Sequence, residues 1–111
     1  MKIIVNKKQE RYEDYRIFFL KIQLLLNEEE RALLEKYGNT KVMLGKVDDC
    51  EIFRDRGTKS VDDFIKGVLW ESDNVNELSM VESEIIRRLE KIVTKYSLMK
   101  EWEGESIIEN N

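Results

Sequence analysis

The stretch that decides the fold is Tyr15–Gly38, YRIFFLKIQLLLNEEERALLEKYG. Its first half is almost wholly apolar and its second half resembles an ordinary helix. It can therefore be read as one long apolar helix, as an export signal, or as a strand running into a helix. Periodicity decides among these. On a period of two, Phe18, Leu20, Ile22, Leu24 and Leu26 share one face while Lys21 and Gln23 fall on the other, the pattern of a strand with one buried side. Asn27 then stands at an N-cap, and Glu28, Glu29 and Glu30 face the positive end of the helix dipole, with Glu30 at the reciprocal position of a capping box. Lys36 and Gly38 supply C-terminal signals. The stretch is expected to be a strand, a boundary at Asn27, and a helix.

Working outward, MKIIV at the start pairs antiparallel with that strand in a register that sets Val5 opposite Ile22 and Ile3 opposite Leu24. A long N-terminal hairpin follows, turning near Glu13 and Asp14. The aromatic residues of RYEDYRIFF fall inside this hairpin and are expected in the core. KVMLGKV and CEIF, separated by Asp48 and Asp49, suggest a second hairpin, and RDRGTK a polar loop. In SVDDFIKG, Ser60 and Asp63 have capping-box spacing and Gly67 is a stop signal, so a helix of barely two turns is expected. VLWES is a further short strand.

From about Asn76 to about Trp102 the period is that of a helix. Leu78, Val81, Ile85, Leu89, Ile92, Tyr96 and Met99 form a stripe about 80° wide at 100° per residue. Gly104 ends the helix, and ESIIEN is a candidate closing edge strand. The fold class is α+β: a single two-layer domain over residues 1–111, with an antiparallel sheet of about four or five strands packed by one long C-terminal helix plus short helices. About 25 helical residues span roughly 38 Å, nearly three times the roughly 13 Å radius of gyration of a compact chain of this size. One end of the helix is expected to overhang, bend or meet a partner.

Composition narrows the function by exclusion. A chain of 111 residues is one domain by size, and it buries roughly two thirds of its unfolded surface. Its net charge of −4 argues against coating nucleic acid or an anionic membrane through the overall field. The complete lack of histidine removes the usual general base, the Ser/His/Asp and Cys/His arrangements, and imidazole zinc sites. Cys50, the single cysteine, has no internal disulfide partner and is read as a structural thiol in a reducing, cytoplasmic setting. The N-terminal apolar run is interrupted by Lys21, lacks a small-residue cleavage site and is too short to span a bilayer, so neither a signal peptide nor a membrane span is expected. Glycines at 38, 45, 57, 67 and 104 match no phosphate-binding fingerprint. No cofactor is expected.

The candidate contact residues lie on one flank of the long helix: Arg87, Arg88, Lys91 and Lys95, with Leu98 and Trp102 farther along the same side. Such a flank can hold phosphates or an acidic protein surface. The plainer alternative is a solvated face on which Glu84 pairs with Arg87 or Arg88. Trp102 is weighed likewise between an exposed anchor and a residue closing the core, whereas Trp70 leans to the core. The acid pairs Asp48/Asp49 and Asp62/Asp63, with Asp55, have turn and helix-start explanations and match no calcium loop. The expectation is a non-enzymatic protein–protein interaction or homodimerising accessory module, with a nucleic-acid-binding accessory protein as the alternative and a carboxylate metal enzyme as a third class.

Overall fold

Alternation at the N-terminus produces the hairpin it requires. The computed structural model describes residues 1–37, 41–43 and 58–103. β1 (Lys2–Arg11) and β2 (Arg16–Leu25) pair antiparallel, with Val5 opposite Ile22 and Ile3 opposite Leu24. Around Glu13 and Asp14 the turn is closed by the Tyr12 N–H, which donates to the Tyr15 carbonyl at 2.8 Å. Asn27 is the boundary, and α1 (Glu28–Tyr37) follows. Its capping box is complete: the Glu30 N–H donates to Asn27 Oδ1 at 2.8 Å, and the Asn27 N–H donates to Glu30 Oε1 at 3.2 Å.

β3 (Lys41–Met43) pairs antiparallel with β4 (Thr58–Ser60), Val42 opposite Lys59. Thr58 and Lys59 are thus in a strand, where a polar loop was expected. Alternation cannot detect a three-residue ladder whose partner lies fifteen residues away. The expected CEIF strand and the expected ESIIEN edge strand lie outside the described residues. α2 (Val61–Lys66) carries the second capping box: the Asp63 N–H donates to Ser60 Oγ at 3.1 Å and the Ser60 N–H to Asp63 Oδ2 at 2.8 Å. It stops at Gly67, whose φ of +99° is a conformation that side chains with a Cβ rarely adopt.

That stop sends the chain into β5 (Val68–Ser72), which pairs with β2 so that Leu20 faces Trp70 and Ile22 faces Val68. The main sheet therefore has the order β1-β2-β5, all antiparallel, and the β3-β4 ladder stands apart from it. The expected single sheet of four or five strands is not reached among the described residues; the main sheet has three.

Asn74 starts α3 (Val75–Glu103) by accepting the Asn76 N–H at 3.0 Å. The stripe Leu78, Val81, Ile85 and Leu89 is buried against Leu20, Ile22, Leu24, Phe64 and Trp70, with Val42, Val61 and Val68 completing the core. Ile92 packs against its margin, and Tyr96 is buried farther along. A helix of 29 residues is roughly 43 Å long, more than the sheet needs. α1 takes up part of the excess by packing on α3. The Met1 α-ammonium reaches Glu30 Oε2 at 2.7 Å and ties the first residue to that same end of the domain. The Cα radius of gyration is 17.5 Å, against roughly 13 Å for a compact chain of this length, and the molecule extends 73 Å along its longest axis.

Candidate interaction site

The long-helix flank is laid out as the spacing requires, but its charge is partly used up. Arg87 Nη2 donates to Glu84 Oε2 at 2.8 Å, and Arg88 Nη2 lies 3.4 Å from the same oxygen. The hydrogen bond from Arg87 holds the Glu84 carboxyl below its usual range, outweighing partial burial, and the charges of Arg88 and Lys91 add to the effect. Arg88 is half-buried at the edge of the apolar stripe. Lys91 and Lys95 are exposed and make no ion pair among the described residues. Leu98 is 55% exposed, an apolar residue left in solvent on this side. Trp102 lies on α3, and its side chain is outside what the structure describes. The structure thus strings the six residues along one helix.

A second surface lies on the opposite side of the sheet. α3 covers the face that carries Leu20, Ile22 and Leu24; the side chains between them point the other way. Register places Ile17, Phe19 and Leu25 of β2 on this outer face, flanked by Ile4, Lys8 and Glu10 of β1 and by Leu69 and Glu71 of β5. Leu69 is 54% exposed and Leu25 41%, while Ile4, Ile17 and Phe19 are half-buried. The centre is crossed by Lys21, opposite Leu69. α2 reaches this face at one point, where the outward-pointing Gln23 donates from Nε2 to the Ile65 carbonyl at 2.9 Å.

At its far end the hairpin outruns the rest of the sheet, because β5 pairs only with Phe18–Ile22 of β2. Tyr12 and Tyr15 stack there with ring centroids 4.9 Å apart and planes 17° apart, 44% and 55% exposed. The expectation that the RYEDYRIFF aromatics are core residues holds for Phe18, which packs against the core, and is corrected for the tyrosines: both flank the turn, past the last β2 residue that β5 pairs. Tyr12 Oη donates to Glu10 Oε2 at 2.8 Å, which pushes the Tyr12 phenol above its usual range and holds Glu10 below its own. Lys8 Nζ sits 3.1 Å from Glu10 Oε1 and 5.5 Å from the centre of the Phe19 ring. Tyr12, Tyr15, Ile17, Phe19, Glu71, Ser72 and Asp73 line an open cleft of about 470 Å³. The alternation around Phe19 marked its face in the sequence, but nothing there gave the length of β5, whose pairing ends at Phe18.

Cys50 and the acids Asp48, Asp49 and Asp55 lie outside the described residues. Asp62 and Asp63 lie in the first turn of α2, where Asp62 pairs with Arg31 at 2.6 Å and Asp63 serves the cap. Among the described residues no three potential metal ligands converge, and no helix is long and apolar enough to cross a membrane. No protein-family model matches the chain, and no curated protein or solved structure matches it either.

Proposed function

We propose that the chain is a non-enzymatic protein-interaction module that associates with a second copy of itself across the outer face of the β1-β2-β5 sheet. The observation that carries this reading is the pair Leu25 and Leu69, each more than two-fifths exposed on one sheet face together with Ile4, Ile17 and Phe19. Scattered exposed apolar residues are ordinary; five apolar residues sharing one sheet face around Lys21 and Gln23 favour association. A face shared by two copies is self-complementary about a two-fold axis, the commonest symmetry of small oligomers. The single cysteine suits a reducing compartment such as the cytoplasm.

The test is a concentration series of amide chemical shifts on protein cleared of nucleic acid. Shifts that move with concentration are expected at Ile4, Ile17, Phe19, Leu25 and Leu69. Movement confined to Arg87–Leu98 would assign the contact to α3 and overturn the choice of face.

A nucleic-acid reading has one observation in its favour, Lys91 and Lys95, exposed one helical turn apart and without an ion pair among the described residues. It is the weaker reading, since Glu84 already engages Arg87 and Arg88. A salt-dependent mobility shift of RNA or DNA that disappears when Lys91 and Lys95 become Ala would support it.

A further inference from the structure

At the hairpin tip, aromatic rings and carboxylates share one cleft. The stacked Tyr12–Tyr15 pair lines it together with Ile17, Phe19, Glu71, Ser72 and Asp73. Ser72 is engaged within its own turn, its Oγ donating to Glu77 Oε2 at 3.0 Å and accepting the Asn74 N–H at 3.0 Å. Glu71 and Asp73 make no hydrogen bond or ion pair among the described residues. Two carboxylates without a counter-ion among the described residues thus share a cleft with ring surfaces that carry negative quadrupoles. Among the described residues, the cation on this part of the face, Lys8, is already held by Glu10 and the Phe19 ring. Arg11 and Arg16, paired across the strands, alternate to the other face of the hairpin.

We propose that this cleft binds a cationic side chain, arginine above lysine, presented by a basic peptide segment of a partner protein. Charge complementarity sets the sign, and Lys8 over Phe19 is an internal example of a cation taking a ring face on this surface. Arginine fits best because a planar guanidinium stacks on Tyr12 or Tyr15 while its N–H groups reach a carboxylate in pairs. The cleft opens onto the outer face beside Ile17 and Phe19, so a side chain still attached to a backbone can enter. The chain's net charge of −4 assists the approach of such a segment.

This inference extends the interaction reading to a partner other than a second copy, and its test separates the two. A short fluorescein-labelled peptide of alternating glycine and arginine is titrated with the full chain and followed by anisotropy, alongside the same peptide with glutamate in place of arginine. Saturable binding of the arginine peptide alone is expected, weakened about fivefold or more by Tyr12→Ala and by Glu71→Gln and unaltered by Lys91→Ala. Both weakened variants change exposed side chains, and their circular dichroism must match the unaltered protein. Failure of both the unaltered protein and Leu25→Glu to bind the arginine peptide, equal binding of the glutamate peptide, or full affinity in the folded Tyr12→Ala and Glu71→Gln variants would each overturn the proposal. Repeating the titration with Leu25→Glu, at the other end of the outer face, distinguishes the readings. Because Ile17 and Phe19 belong to both surfaces, the monomeric Leu25→Glu variant decides: peptide binding there keeps the cleft as a site, and a folded monomer that ignores the peptide removes the cleft alone.

Discussion

Tyr12 and Tyr15 stack across the hairpin turn at a centroid distance of 4.9 Å, beyond the last residue of β2 that β5 pairs. The pair contributes to no core cluster, so its replacement is expected to leave the fold in place. Tyr12→Ala and Tyr15→Ala should each shift thermal stability by less than about 0.5 kcal/mol, measured by circular dichroism melting. A loss of several kcal/mol would mean that the turn depends on the stack.

On α3 the two sides should respond in opposite ways. Ile85 and Leu89 are fully buried, so Ile85→Asp or Leu89→Asp places an unpaired charge in the core and should abolish folding. Leu89→Ala should cost about 2–5 kcal/mol. Leu98→Ala, on the exposed flank, should fall within about 0.5 kcal/mol of the unaltered protein by denaturant titration. Native stability in Leu89→Asp would mean that the helix presents a different face to the sheet.

Short α2 depends on its two ends. Ser60→Ala removes the side chain that accepts the Asp63 N–H and should cost about 1 kcal/mol. Gly67→Ala imposes a Cβ on a φ of +99° and should cost about 1–2 kcal/mol, the added carbon also meeting the Lys21 side chain. Urea denaturation of the two variants and their combination tests both figures.

Glu30 gives the stability a defined acid limb. Burial pushes its carboxyl up, but hydrogen bonds from the Met1 ammonium and the Asn27 N–H, with the charges of Met1 and Lys100, outweigh that and hold it below 4.5. A carboxyl lowered in the folded state stabilises fully above its unfolded value and loses that contribution as pH falls through the folded value. Stability should therefore decline below about pH 4.5, and Glu30→Gln should be less stable at pH 7 with a shallower decline. Equal slopes for the two proteins, measured by urea titration from pH 7 to pH 3, would contradict the assignment.

What the sequence disclosed follows the range of the interaction involved. The hairpin register, both capping boxes and the α3 stripe rest on alternation, three-residue caps or helical period, and each was legible within a window of a few residues. The β3-β4 ladder was not, because its pairing is long-range and Thr58-Lys59-Ser60 has no apolar alternation of its own. The exposure of Tyr12 and Tyr15 was missed for a related reason. It depends on where β5 stops, and β5 is joined to the tip only through strand pairing. On α3, helical period gave the helix that carries the basic residues, while Glu84's hold on both arginines became visible as a geometry only in the fold.

The claim that the outer sheet face mediates self-association is tested most directly by solution mass. Light scattering during size-exclusion chromatography, run over a range of concentrations, should give twice the 13.3 kDa chain mass for the unaltered protein. Leu69→Glu and Leu25→Glu should each return it to a single chain with an unchanged circular dichroism spectrum. A monomer at every concentration, or a dimer that both substitutions leave intact, would contradict the assignment.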